Sequence, residues 1–165
     1  MRPLLLLDID GPLTPFAAKA GANPLGYREH KFKISGWSRR HPLRMWLNPT
    51  HGPALLQVAG PAELVWATTW EHQANTMVGP ATGLPNLPVI RFGDTGPAWK
   101  FPAVAAYAPQ RPLIWLDDDF GMYPTARDEF LASRGDTPTN LIPVNPRTGL
   151  TDTHFDEIRE YWLSV

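Results

Sequence analysis

LLLLDIDGPL, from Leu4 to Leu13, is an unbroken apolar run that stops at Asp8, skips one residue to Asp10 and turns on Gly11. Four leucines ahead of a carboxylate pair describe a central strand of a parallel sheet, covered on both faces and delivering its acids at its carboxyl end. Open α/β sheets place their chemistry at that edge. Two carboxylates this close repel each other unless a positive charge lies between them, and a hard divalent cation such as Mg2+ meets that need. The same pair also suits capping of a turn after a strand, so the remaining motifs have to decide.

Outward from this stretch, elements alternate. Thr14–Leu25 is rich in Pro, Gly and Ala and reads as a loop. Tyr27–Arg44 alternates basic and apolar residues around Ser35-Gly36 and reads as a β-hairpin or flap, with Met45–Leu47 as a short addition. Its cations Arg28, Lys31, Lys33, Arg39, Arg40 and Arg44 against Glu29 give a local +5 in a chain of net charge −1. Thr50–Val58 reads as a helix, Glu63–Ala67 as a buried strand, and Glu71 to Gly79-Pro80 as a second helix. Leu87–Phe92 is expected as a strand, Trp99–Tyr107 as a helix, Pro112–Leu116 as a strand and Tyr123–Ser133 as a helix. Leu141–Val144 then reads as a strand, and a last helix starts near Thr153 with Asp156 as its capping-box partner. This alternation predicts a three-layer α/β sandwich with a mainly parallel sheet.

The 165 residues suit one domain, 1–165, with 27–44 as a flap insertion. A net charge of −1 excludes global attraction to nucleic acid or membrane, so a basic binding surface has to be local. The absence of cysteine removes disulfides, thiolate catalysis and Cys-based zinc sites. The apolar run Pro3–Leu7 is too short for a signal peptide or a membrane span, and a cytoplasmic address is the default expectation.

The polar residues that follow these elements are Asp8 and Asp10, then Thr68 and Thr69, then Lys100 at a helix start, then Asp117, Asp118 and Asp119. Singly, a Thr after a strand caps a helix, a Lys is a surface charge and an acidic triplet is a loop. Together they place an anion-binding hydroxyl and a cation opposite two acidic clusters able to share a metal. This order resembles the haloacid dehalogenase-like phosphohydrolase superfamily, and WATTWEHQAN and PLIWLDDDF look like its small capless bacterial branch, similar to phosphatase domains of nucleic-acid repair proteins. Pro12 departs from the Thr or Val common after the Gly, which bears on turn geometry more than on chemistry.

The resemblance implies a Rossmann-like sheet and Mg2+-dependent hydrolysis of a phosphomonoester. Asp8 would be the nucleophile and Asp10 the general acid and base, with a backbone contact to the metal. Thr68, Thr69 and Lys100 would bind phosphate, Asp118 would ligate Mg2+ directly and Asp117 through water or as an outer partner, with Asp119 behind both. Residues 11–67, between the first two motifs, hold a flap but too little chain for a large cap, leaving an open site for a small phosphorylated molecule or a nucleic-acid end. Trp37, Arg39 and Arg40 on the flap are the candidate substrate contacts. A receiver-like signalling domain would carry its acidic pair on the first strand and its acceptor Asp later, and a Toprim-like nuclease would have D-x-D on a later strand. The alternative that survives is a catalytically silent phosphate- and Mg2+-binding module.

Overall fold

The computed structural model describes residues 1–22, 24–34, 40–94 and 96–165. The Ser35-Gly36 turn, Trp37 and Arg39 lie outside them. Strand β1 (Leu4–Leu7) is completely buried, as a two-sided strand requires. It pairs in parallel with β4 (Glu63–Trp66) on one side and β5 (Leu113–Asp117) on the other, and β5 pairs in parallel with β6 (Thr139–Pro143). The sheet order is β4-β1-β5-β6. Because successive side chains face opposite ways, Leu5 and Leu7 enter a core closed by α1 (His51–Ala59) and α5 (Asp152–Ser164). Leu4 and Leu6 enter another, closed by α3 (Phe101–Tyr107) and α4 (Pro124–Arg134). Each buried leucine contributes about 1.5–3 kcal/mol. Helices therefore cover both faces, and the parallel strands bring the residues after β1, β4 and β5 to one edge.

The basic stretch forms an antiparallel hairpin of β2 (Arg28–Phe32) and β3 (Leu43–Leu47), with Arg28 opposite Leu47 and Phe32 opposite Leu43. Met45 and Leu47 seat it on the α1/α5 core. At its base the ring of His51 lies 5.5 Å from Tyr27 and 5.9 Å from Phe155, both edge-on. Burial pushes the His51 imidazole down to about 4, so it works here as a neutral aromatic wedge.

Three local readings change. Leu87–Phe92 makes only an isolated parallel bridge, Val89 to Trp66. Pro88 has no N–H to extend the ladder, so among the described residues backbone pairing is limited to Trp66 N–H donating to the Pro88 carbonyl and Ile90 N–H donating to the Trp66 carbonyl. The Asn75 side chain adds a donor to the Leu87 carbonyl and an acceptor for Leu87 N–H and Trp66 Nε1. The helix expected from Glu71 is helical from His72, but it widens into a π-helical turn over Ala74–Val78 and runs on past Pro80 as α2 (Gly79–Thr82). Helix α5 starts earlier, at a Thr151 cap whose box partner is His154 and not Asp156: Thr151 N–H donates to His154 Nδ1 over 3.0 Å. An imidazole nitrogen here takes the acceptor role usually filled by Glu.

Candidate active site

Three chain segments converge where β1 and β5 end. Asp8 follows β1 directly, and its N–H donates to the Leu116 carbonyl of β5. Asp117 is the last residue of β5 and is fully buried. Lys100 caps α3 from below the same edge, 3 % exposed. Its Nζ lies 3.0 Å from Asp8 Oδ2 and 2.6 Å from Asp117 Oδ2. Aromatic rings steer it there: Nζ is 4.9 Å from the Trp99 ring centre and 5.8 Å from that of Phe92. Trp99 adopts a left-handed φ of 51° while stacking on Trp115 at 5.7 Å, and this turn sets the entry of Lys100 into the site.

Asp118 completes the cluster. One carboxylate oxygen each of Asp8, Asp117 and Asp118 lies within 4.8 Å of the others. Gly11 is what allows the approach: its φ is +100°, and a Cβ there would stand 2.4 Å from Asp118 Cβ. The turn after it closes through Gly11 N–H to the Thr14 carbonyl and Thr14 N–H to the Ile9 carbonyl, and the Pro12 carbonyl accepts from Leu150 N–H.

Asp10 stands at the rim, half-buried, with Oδ2 accepting from Trp70 Nε1 over 3.0 Å. Thr68 is fully buried after β4, its Oγ1 accepting from Trp70 N–H at 3.4 Å, while Thr69 is exposed. Trp70 therefore ties the acid of one strand to the hydroxyl of the next. The sequence reading missed it; its signal was a tryptophan two residues after Thr68, in a chain with seven.

Negative charge dominates. Burial raises the Asp117 carboxyl well above its ordinary range, with Asp8 adding to the effect and Lys100 opposing it. Burial, then Asp8, raises Asp118. Asp10 is raised by burial and partly held back by the Trp70 N–H. For Lys100, burial works against the charge, but Asp8 and Asp117 outweigh it and hold the ammonium above its usual value. Among the described residues, one cation thus faces four carboxylates. An all-oxygen donor set short of positive charge is the chemistry that fits a hard divalent cation.

Of the residues singled out from the sequence, Asp8, Lys100, Asp117 and Asp118 come together, and Asp10 joins Thr68 through Trp70. Lys100 makes contacts beyond the phosphate role expected of it, bridging two acids. Asp117 has both oxygens engaged, Oδ1 accepting from Asp119 N–H at 3.3 Å, whereas Asp118 is more open. Arg40 is exposed on the hairpin. Compared with protein-family models and with curated proteins, the chain matches none.

Proposed function

We propose that this chain is a phosphomonoester hydrolase of the haloacid dehalogenase-like kind, acting through an aspartyl-phosphate on Asp8, with nucleotide or polynucleotide phosphates among its candidate substrates. The observation that carries this reading is the buried Lys100 ammonium within 3.0 Å of Asp8 and 2.6 Å of Asp117, beside Asp118. A carboxylate pinned by a buried cation at a sheet edge is oriented and desolvated, as a nucleophile needs to be. Asp8, Asp117 and Asp118 would hold Mg2+, which when bound supplies positive charge to the phosphoryl oxygens.

The chain's own groups account for the rest. A carboxylate oxygen of Asp8 forms a bond to phosphorus as the bond to the leaving oxygen breaks, and Asp10 passes its proton to that oxygen. Water then attacks phosphorus, Asp10 takes a proton back from it, and the acyl-phosphate bond to Asp8 breaks. Burial raises the Asp10 carboxyl, the direction a general acid needs. Lys100 offsets charge as it develops, and the Thr68 hydroxyl is a donor for a phosphoryl oxygen.

Phosphate release from small monoesters tests this directly. Release should require Mg2+, stop in excess EDTA and return when Mg2+ is restored. Binding of phosphate and Mg2+ without release from any monoester would instead favour the silent binding module.

Trp70 should act through Asp10. Trp70→Phe keeps most of the ring and removes the N–H that favours the Asp10 carboxylate, so it should lower kcat for an alkyl phosphate by about tenfold, the worth of one hydrogen bond to the charge Asp10 gains as its proton leaves. Hydrolysis of p-nitrophenyl phosphate, whose leaving group needs little protonation, should change far less. Equal slowing of both substrates would make Trp70 a packing residue only.

A further inference from the structure

A cavity of about 540 Å³ lies between the loop after β1 and the β2–β3 hairpin, and it meets the site through Asp10. That volume falls within the ~300–1,000 Å³ of small-molecule sites. Asp8, Asp117 and Asp118 do not line it. If Asp10 protonates the leaving oxygen, as the hydrolase reading has it, then the alcohol part of the substrate sits on the Asp10 side, in this cavity.

The walls say what kind of alcohol fits. Room is left by the small residues Ala20, Gly21 and Ala22 on the loop side. One aromatic lines each wall, Phe16 from the loop at 59 % exposure and the half-buried Trp46 from β3. An exposed phenyl ring lining the same cavity as Asp10 gains by covering a planar partner, and base stacking tolerates many ring types. Two cations also line the cavity. Arg44 is paired with Glu29 at 2.9 Å, whereas Lys19 makes no ion pair among the described residues. Its ammonium is left for a negative charge on the ligand.

We infer that this cavity is the leaving-group subsite, and that it takes a nucleoside carrying a second phosphate: the base against Phe16 or Trp46 and the second phosphate toward Lys19. The inference rests on the hydrolase reading and adds the substrate class to it. The same chemistry occurs in a free nucleoside 3′,5′-bisphosphate and at the 3′-phosphorylated end of a single strand.

The experiment compares kcat/KM for ethyl phosphate, adenosine 3′,5′-bisphosphate and a trinucleotide ending in a 3′-phosphate, in the wild type, Lys19→Glu and Trp46→Ala. The bisphosphate should exceed ethyl phosphate by at least about a hundredfold. Lys19→Glu, on an exposed loop where folding is not at risk, should shrink that ratio by about tenfold or more, mainly through KM. Trp46→Ala should shrink it as well, and circular dichroism checks that the hairpin variant folds. A further gain for the trinucleotide identifies a strand end, and a preference for the bisphosphate identifies a free nucleotide. If ethyl phosphate is hydrolysed and the nucleotides no faster, or if Lys19→Glu leaves the ratio unchanged, the subsite is wrong and the hydrolase stands. No release from any monoester overturns the hydrolase and the subsite with it.

Discussion

Asp8→Asn should fold as the wild type does and lose turnover by a factor on the order of 10⁴ or more, as loss of a nucleophile does. The substitution keeps shape and volume, so Ile9 and the β1 ladder are undisturbed. It removes the one oxygen nucleophile that Lys100 holds at 3.0 Å. Folding should not suffer, because Asp8 raises both Asp117 and Asp118, and neutralising it relieves crowded negative charge. The measurements are phosphate release and thermal unfolding, together with acid quenching of the wild type during turnover. The quenched wild type should carry acid-stable, hydroxylamine-labile phosphate, and Asp8→Asn should carry none. Turnover within tenfold of the wild type would remove Asp8 from the mechanism.

What could be read in advance follows from which signals are local. The Leu4–Leu7 run announced a strand buried on both faces, and every one of its side chains is. The acids after β1 and β5 reached one edge because parallel pairing forces it, given only the order of elements. The Lys100–Asp117 bond spans 17 residues: Lys100 sits at a helix start as expected, and the turn just before it is a left-handed Trp99. No pattern in the sequence marks that. The Trp70–Asp10 bond joins residues 60 apart on separate strand ends, so only the sheet order reveals it. Leu87–Phe92 misled because its apolar run was real while Pro88 denied it a ladder. The cavity lies between a loop and a hairpin, and its emptiness comes from small residues that looked like mere loop composition.

Lys100→Met should give the largest loss of stability from any single change at the site. Methionine keeps an unbranched stem against Trp99 and Phe92 and removes the charge. Asp8 and Asp117 are then left buried and unpaired, and breaking a buried pair in this way costs about 3–5 kcal/mol. For a chain of this size the unfolding midpoint should fall by roughly 10 °C in EDTA. The loss should depend on pH with a definite sign. An acid whose carboxyl is raised in the folded state binds more protons there than in the unfolded chain, so stability falls as pH rises past the ordinary carboxylate value of 3.8. Without Lys100 opposing it, Asp117 shifts further the same way. The deficit of Lys100→Met should therefore be larger at pH 8 than at pH 5. Mg2+ should restore more of the midpoint in the variant than in the wild type, because a ligand that binds only the folded state stabilises it by mass action, and the variant's acids have lost their competing cation. Turnover should drop by a factor on the order of 10² to 10³, the worth of one preorganised charge at a reacting centre. Calorimetry that found Mg2+ binding abolished in a folded Lys100→Met protein would assign the lysine to holding the acids in place for the metal, and not to offsetting their charge.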